Sequence, residues 1–384
     1  MSSPNGSLIA GPDHFIVEEL PAYEPCGEGE HVYVWIEKRN LTTDDAVRIL
    51  ARTGGVKSRD VGIAGRKDRR AVTRQWVSLQ FGDSEKLAGF EYAEGDGSLR
   101  VLRCERHRNK LKTGHLRGNR FQLGLQVDDT AVLQQACERV AREGLGNRFG
   151  TQRFGLHGAS LSIAQAWGRG DLERAVELLV DPSGAWHFGD ELPGGFRKDL
   201  AGKLVGAVRK GANATKALKI GGHPIRKLIA SAGQSAVFNA VYDARKEQGL
   251  LHRLRPGDLA IAPSGAPFVV SDEDCDEVNE RASRLEVRAS APLPGTWKIS
   301  PSEAIAAEER AWSADTGIDW AWFERDGVFN SPGDRRPVVV PLLETPTLHS
   351  EDERVRLDLA LPSGTYATEF LGAVDIAVPD KRKG

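Results

Sequence analysis

The spacing of apolar positions divides the chain into short elements. His31–Glu37 (HVYVWIE) is rich in β-branched and aromatic residues and predicts a strand. Thr43 then caps a helix through about Arg52, with Ala46, Val47, Ile49 and Leu50 on one side and Gly54-Gly55 ending it. Gln75–Phe81 and Arg120–Gln126 alternate as half-buried strands do. Thr130–Glu143 reads as a helix, with Val132, Leu133, Ala136, Cys137 and Val140 as its apolar positions. Together these elements predict a mixed sheet-and-helix domain with helices on a sheet face.

Beyond Gly155 the pattern turns helical. Ser160–Trp167, Asp171–Leu179, Ile225–Gly249, Asp274–Arg284 and Pro301–Thr316 read as helices. Gly189–Gly195 and Gly211–Gly222 read as glycine-rich connectors, and Pro256-Gly257 and Pro294-Gly295 as turns. Strand character returns at Pro337–Leu343 and Arg354–Leu361. The expected organisation is a strand-rich domain, 1–155 with 340–384, interrupted by a helix-rich segment, 156–339.

Composition narrows the class. A chain of 384 residues with 40% hydrophobic content can bury a sizeable core. No apolar run reaches the roughly 18 residues of a membrane helix, and no secretory signal is visible at the N-terminus. Cys26, Cys104, Cys137 and Cys275 form no C-x-x-C pair, which fits a reducing cytosol and argues against a thiolate zinc site. The net charge of −2 hides segregation. Cations cluster at 57–74, 103–120 and 197–227, while the first fifty residues are acidic. One such block is ordinarily a solvated face; three together suit a polyanion, because phosphate neutralisation needs clustered cations.

Several chemistries lack their signatures. There is no phosphate-binding G-x-x-x-x-G-K-[ST], no H-E-x-x-H and no G-x-S-x-G, and the nine histidines show no ligand spacing. The expectation is therefore an activity without metal or cofactor, carried by carboxylates, amides, aromatics and cations.

Four segments could carry it. Gly65-Arg66-Lys67-Asp68-Arg69-Arg70 sets one carboxylate in a cationic tract, where it would stay ionised and could serve as nucleophile or general base. The alternative is a loop aspartate that pairs with Lys67 or Arg69. Asn147-Arg148-Phe149-Gly150-Thr151-Gln152-Arg153-Phe154-Gly155 offers stacking faces, amides and phosphate-binding arginines, or else a packed turn. Arg106–Phe121 carries Arg106, Arg108, Lys110, Lys112, Arg117 and Asn119 and reads as a backbone-phosphate cradle or a basic hairpin. Leu361–Leu371 is a strand, a tight turn and a helix start, with Tyr366 placed to stack on a base or to pack the turn.

Taken together these segments resemble the TruD-type tRNA pseudouridine synthases. The resemblance lies in G-x-K-D-[KR]-x-A-V-T-x-Q-W (Gly65 to Trp76) and N-x-F-G-x-Q-R-F-G (Asn147 to Gly155). It extends to F-x-V-E-E (Phe15 to Glu19), G-E-G-E-H (Gly27 to His31), the Arg106–Phe121 stretch, S-A-x-x-S-A-x-F-N (Ser231 to Asn239) and the Gly364–Thr368 turn. It implies an α+β fold: a catalytic domain with a mixed, largely antiparallel sheet, split by an inserted helix-rich α/β domain into a V-shaped molecule. It implies a tRNA substrate, with the uridine at position 13 in the D-stem region as target. Asp68 matches the catalytic aspartate, Asn147 and Phe149 the active-site Asn and Phe, and Tyr366 a position usually held by Phe beside the target base. Arg66, Arg69, Arg106, Arg108, Lys110, Lys112, Arg117, Asn119 and Arg153 are then expected to hold RNA. The family's usual basic residue six positions before Phe15 is replaced by Ile9, which leaves Lys67 as a candidate substitute at the substrate. Glu369-Phe370-Leu371-Gly372 replaces the usual basic helix. A non-catalytic RNA-binding protein or tRNA chaperone on the same scaffold, and a carboxylate-dependent nuclease, are the alternatives.

Overall fold

The computed structural model describes residues 4–188, 190–191, 200–351 and 354–379. The chain forms two compact units, Met1–Leu145 with Pro341–Gly384, and Gly146–Val340. Asn147–Gly155, grouped with the strand-rich domain on sequence, lies in the second unit, where Asn147 bonds Val338 and Phe149 bonds Asn239.

The first unit holds a ten-stranded sheet. Its strands are β1 (Gly6–Leu8), β2 (Phe15–Pro21), β3 (His31–Arg39), β4 (Val61–Ile63), β5 (Val72–Gln80), β6 (Glu91–Glu94), β7 (Gly97–His107), β8 (Leu116–Val127), β9 (Glu344–Glu351) and β10 (Arg354–Pro362). Their spatial order is β9-β10-β8-β2-β5-β3-β7-β6, with β1 on β8 and β4 on β5. β2 and β5 run parallel; the other pairs are antiparallel. Val32, Val34 and Ile36 of β3 turn inward with Val77 and Leu79 of β5 and meet Ala46 and Leu50 of the helix Thr43–Thr53. Fully burying such a side chain contributes about 1.5–3 kcal/mol.

One helix cap differs from expectation by one position, and the helix Thr130–Glu143 keeps its expected bounds. Thr42, not Thr43, is the N-cap: its hydroxyl accepts the Asp45 N–H at 3.0 Å, and the Asp45 carboxylate accepts the Thr42 N–H at 3.2 Å. Thr43 is thereby left free for another partner. The helix Thr130–Glu143 starts from Asp129, whose carboxylate accepts the Ala131 N–H at 2.8 Å. It buries Leu133, Ala136, Cys137 and Val140, whereas Val132 is one step off that stripe and 48% exposed.

The second unit is built on the helix Ala214–Glu247. The expected connector 211–222 is largely helical instead: Asn213 caps the Lys216 N–H at 3.0 Å, and Ala217 and Leu218 pack into a core with Val176, Leu204 and Val205. The helix breaks at Gly222 (φ 60°), because Pro224 supplies no N–H and disfavours helical geometry just before it. Gly189 and residues 192–195 of the other expected connector lie outside the described residues. The expected continuous strand at 337–343 is replaced by Asp334–Pro337 and Val339–Val340, since Pro337 and Pro341 each remove a ladder donor. Strand Asp334–Pro337 edges a four-stranded sheet with Arg288–Leu293, Leu259–Ile261 and Pro267–Val269.

Two buried ion pairs tie this unit together: Arg245 with Asp258 at 3.0 Å and Arg335 with Glu309 at 2.6 Å. Removing one partner strands the other charge in the core. Glu309→Ala should therefore cost about 3–5 kcal/mol in chemical denaturation followed by circular dichroism. A loss below about 1 kcal/mol would show that Ser290, which also bonds Arg335 through its hydroxyl and carbonyl, suffices alone.

Candidate active site

The carboxylate of Asp68 stands on the loop between β4 and β5. That loop exists because β5 changes partners along one side: residues 72–74 pair with β2 and residues 77–79 with β4. Trp76 lies between the two pairings and donates its N–H to Glu19 Oε1 at 3.3 Å. The other Glu19 oxygen accepts from Lys67 Nζ at 3.0 Å. The Glu19 and Lys67 side chains are 0% and 4% exposed, so this ion pair seals a gap in the sheet. Burial pushes the Glu19 carboxyl above its usual range, against the pull of the Lys67 ammonium and the Trp76 N–H.

The loop backbone is held at three further points. Gln75 Nε2 donates to the Gly65 carbonyl at 3.1 Å, and the Thr43 hydroxyl accepts the Lys67 N–H at 2.9 Å. Lys38, with no exposed surface, donates to the carbonyls of Asp68 and Leu41, each at 2.8 Å. Asp68 itself is exposed. Arg66 and Arg69 are also exposed; they reach Asp44 at 3.2 Å and the Asn40 carbonyl at 3.3 Å. An anchored main chain thus presents an accessible carboxylate among cations. Lys67 is the correction: expected at the substrate, it is buried against Glu19.

The basic stretch between β7 and β8 is docked on the sheet. Tyr23 stacks on His107 (centroids 5.1 Å apart) and meets His115 Nδ1 at 2.8 Å. Tyr33 donates to the Asn109 carbonyl at 3.0 Å, and the Ser78 hydroxyl accepts the Leu111 N–H at 3.0 Å. Arg108 pairs with Glu28, Lys110 reaches the Arg59 carbonyl at 2.7 Å, and Arg106 reaches Ser84 and Gly29. The side chains of Lys112 and Arg117 are exposed, with no partner among the described residues. Asn119 departs from expectation: it sits between Glu19 and Leu361 in the sheet, and its amide oxygen is buried without a hydrogen bond.

Register brings the Tyr366 turn to this end of the sheet. Pro362 lies opposite Gly118, which lies opposite Leu20, and the Ser363 N–H donates to the Arg117 carbonyl at 2.9 Å. Gly364 takes φ +83°, and half-buried Tyr366 opens the helix Ala367–Ala373. Nearby, a concavity of about 570 Å³ is lined by Tyr23, Trp35, Trp76, Arg103, Arg117 and Arg120, with Glu18 and Glu19 in its wall. The Arg103 guanidinium lies over the Trp76 ring at 5.3 Å.

In the second unit, Asn147, Phe149 and Arg153 are packed. The Asn147 amide donates to the Pro337 carbonyl at 2.8 Å, and its oxygen accepts from Arg336. Asn239 clamps the Phe149 backbone, accepting its N–H and donating to its carbonyl, both at 2.9 Å. Phe149 is 4% exposed, edge-on to Phe238, with the Arg336 and Arg153 guanidinium groups over its ring at 4.3 and 5.2 Å. The expected open stacking face is therefore covered. Arg153 also donates to the Ser235 hydroxyl at 3.2 Å. Two sequence motifs dock on each other here: Ser235, Phe238 and Asn239 share one helix face, and all three meet the Asn147–Gly155 segment.

The profile of tRNA pseudouridine synthase D (TruD) matches residues 2–185 and 190–373. The chain belongs to the TruD family. A tRNA pseudouridine synthase D of Geobacter metallireducens is 39% identical, over 96% of this chain and 94% of its own. One of Thermus thermophilus is 33% identical, over 96% and 88%. A solved structure from Methanosarcina mazei that carries the TruD name superposes with a TM-score of 0.73, at 23% identity over 97% of this chain and 94% of its own.

Within this TruD-family chain the sequence reading missed Lys38, Glu19, Thr43, Trp35 and Arg336. Lys38 left one signal: it occupies the inward phase of β3 after Val32, Val34 and Ile36. Arg336 left none, because its contacts come from a segment 189 positions away in the chain. Among the described residues no group of three or more His, Cys, Asp or Glu could hold a metal ion, and no helix is long and apolar enough to cross a membrane.

Proposed function

We propose that the protein is a tRNA pseudouridine synthase that isomerises a uridine of tRNA, position 13 in the D-stem region, at Asp68. The observation that carries this reading is an exposed aspartate on a loop tied down at Gly65, Lys67 and Asp68, inside a cationic surface. Such a surface concentrates a polyanion, and the anchored loop limits the reorganisation needed to reach the reacting sugar.

The reaction breaks the N1–C1′ bond, turns the uracil and joins C5 to C1′; N1 gains a proton and C5 loses one, so no other reactant is consumed. The base must first leave its stack. Asp68 then attacks the sugar or the base, or removes the C2′ proton. Arg66, Arg69, Arg106, Arg108, Lys110, Lys112 and Arg117 hold the backbone, while Trp35 and Tyr366 offer aromatic faces. The domain roles follow: the sheet unit carries the chemistry, and the helix-rich unit is the insertion. The working compartment is the cytoplasm, where tRNA is found.

Incubating the protein with tRNA whose uridines carry a C5 tritium label tests this reading, since C5 must release its hydrogen. Multiple turnovers of tritium release at one uridine are expected; binding without release would leave the chaperone reading. That alternative draws support from Ile9 and from the commitment of Lys67 to Glu19, which leaves neither as a cation for the carboxylate.

The cationic surface makes a second expectation. Lys112→Ala with Arg117→Ala should weaken tRNA binding and lower the slope of log K against log salt by about one per lost phosphate contact, read by filter binding. An unchanged slope would remove these two side chains from the RNA surface.

A further inference from the structure

Lys38 breaks the pattern of its strand. Val32, Val34 and Ile36 face the helix Thr43–Thr53, and position 38 continues that phase with an ammonium instead of an apolar group. It has no exposed surface. Burying an ammonium costs several kcal/mol, and a methionine of similar length would pack there without that cost. The retained charge therefore asks for a reason.

Its acceptors supply one. Nζ donates to the Leu41 carbonyl, in the turn before the helix, and to the Asp68 carbonyl, both at 2.8 Å. We propose that Lys38 is a positioning residue for the catalytic carboxylate, fixing the peptide from which the Asp68 side chain projects. Gln75 and Thr43 hold the loop at Gly65 and Lys67, but Lys38 holds residue 68 itself. The inference rests on Asp68 being the catalytic group.

The tie is sensitive to charge. Burial pushes the Lys38 ammonium down to about 8; the carboxylates of Asp68 and Asp45 support its proton, and the Lys67 ammonium opposes it. Above that pH the charge-assisted bonds become weaker amine bonds, and the clamp on the loop loosens.

The test compares wild type, Lys38→Met, Lys38→Arg and Asp68→Asn as full-length protein, with tRNA as substrate. Lys38→Met should lower kcat by about 10–100-fold while KM stays within about twofold, because a misplaced group costs rate and not affinity. Wild-type kcat should fall above about pH 8, and Lys38→Arg, which keeps its charge, should move that fall to higher pH. Lys38→Met with wild-type kcat overturns the proposal. A wild-type kcat that stays flat to pH 9.5 overturns the charge sensitivity of the tie, and a Lys38→Arg variant that folds but loses as much kcat as Lys38→Met overturns the role of the retained charge. Full activity in Asp68→Asn would instead overturn the functional reading; an inactive Asp68→Asn beside a fully active Lys38→Met overturns the positioning role alone.

Discussion

Asp68→Asn should abolish pseudouridine formation while leaving tRNA affinity within about twofold of wild type. The amide has nearly the shape of the carboxylate but neither attacks a sugar nor accepts a proton at neutral pH. The expected loss is at least about 10²–10⁴-fold, the range for a positioned acid–base or nucleophilic group. Folding should survive, because the ties through the Gly65 and Asp68 carbonyls and through the Lys67 N–H and side chain are left in place by the substitution. Affinity should survive because the surrounding cations, Arg66 and Arg69 among them, are untouched. Tritium release gives the rate and filter binding gives the affinity. Turnover within tenfold of wild type would remove Asp68 from the chemistry; a parallel collapse of binding would make it an RNA contact.

The second large effect is expected at the buried pair behind the loop. Lys67→Met should destabilise the first unit by about 3–5 kcal/mol, because it strands the Glu19 carboxylate where it has no exposed surface. Glu19→Gln should cost a similar amount by stranding the ammonium, although the Gln oxygen can still accept the Trp76 N–H. Combining the two removes both charges and keeps that acceptor, so the double variant should recover most of the loss. A double-mutant cycle on thermal midpoints reads this directly. If the double variant loses as much as the two singles together, the pair is not coupled.

Acidity adds a sign to this prediction. Burial already holds the Glu19 carboxyl above its usual range, and Lys67 is the charge that pulls it back down. In Lys67→Met the folded state therefore keeps the Glu19 proton to higher pH than the unfolded chain does. Its deficit against wild type should be small below about pH 4, where both states are protonated, and should grow as pH rises through the folded value. A deficit that shrinks between pH 5 and pH 8 would contradict the burial argument.

What could be read without a structure was local. The strand at 31–37, the helix Thr130–Glu143, the strand at 354–361 and the turn at Gly65 follow from residue type, side-chain periodicity and glycine, which act within a few positions of one another. The cation clusters and the long motifs could also be read, and the family resemblance carried by those motifs singled out Asp68 as the candidate carboxylate.

The tertiary structure decided which polar groups meet. Lys67 looked like a substrate cation because Ile9 stands where the resemblance expects a basic residue; beside the partner change along β5 it instead pairs inward with Glu19. Asn147 and Phe149 looked available for a base until Arg336 and Asn239, distant in the chain, filled their hydrogen bonds and covered the ring. Periodicity marks which face of a strand is buried, but the partner of a buried charge is set by sheet order and register across long sequence separations, and only the assembled fold contains that information.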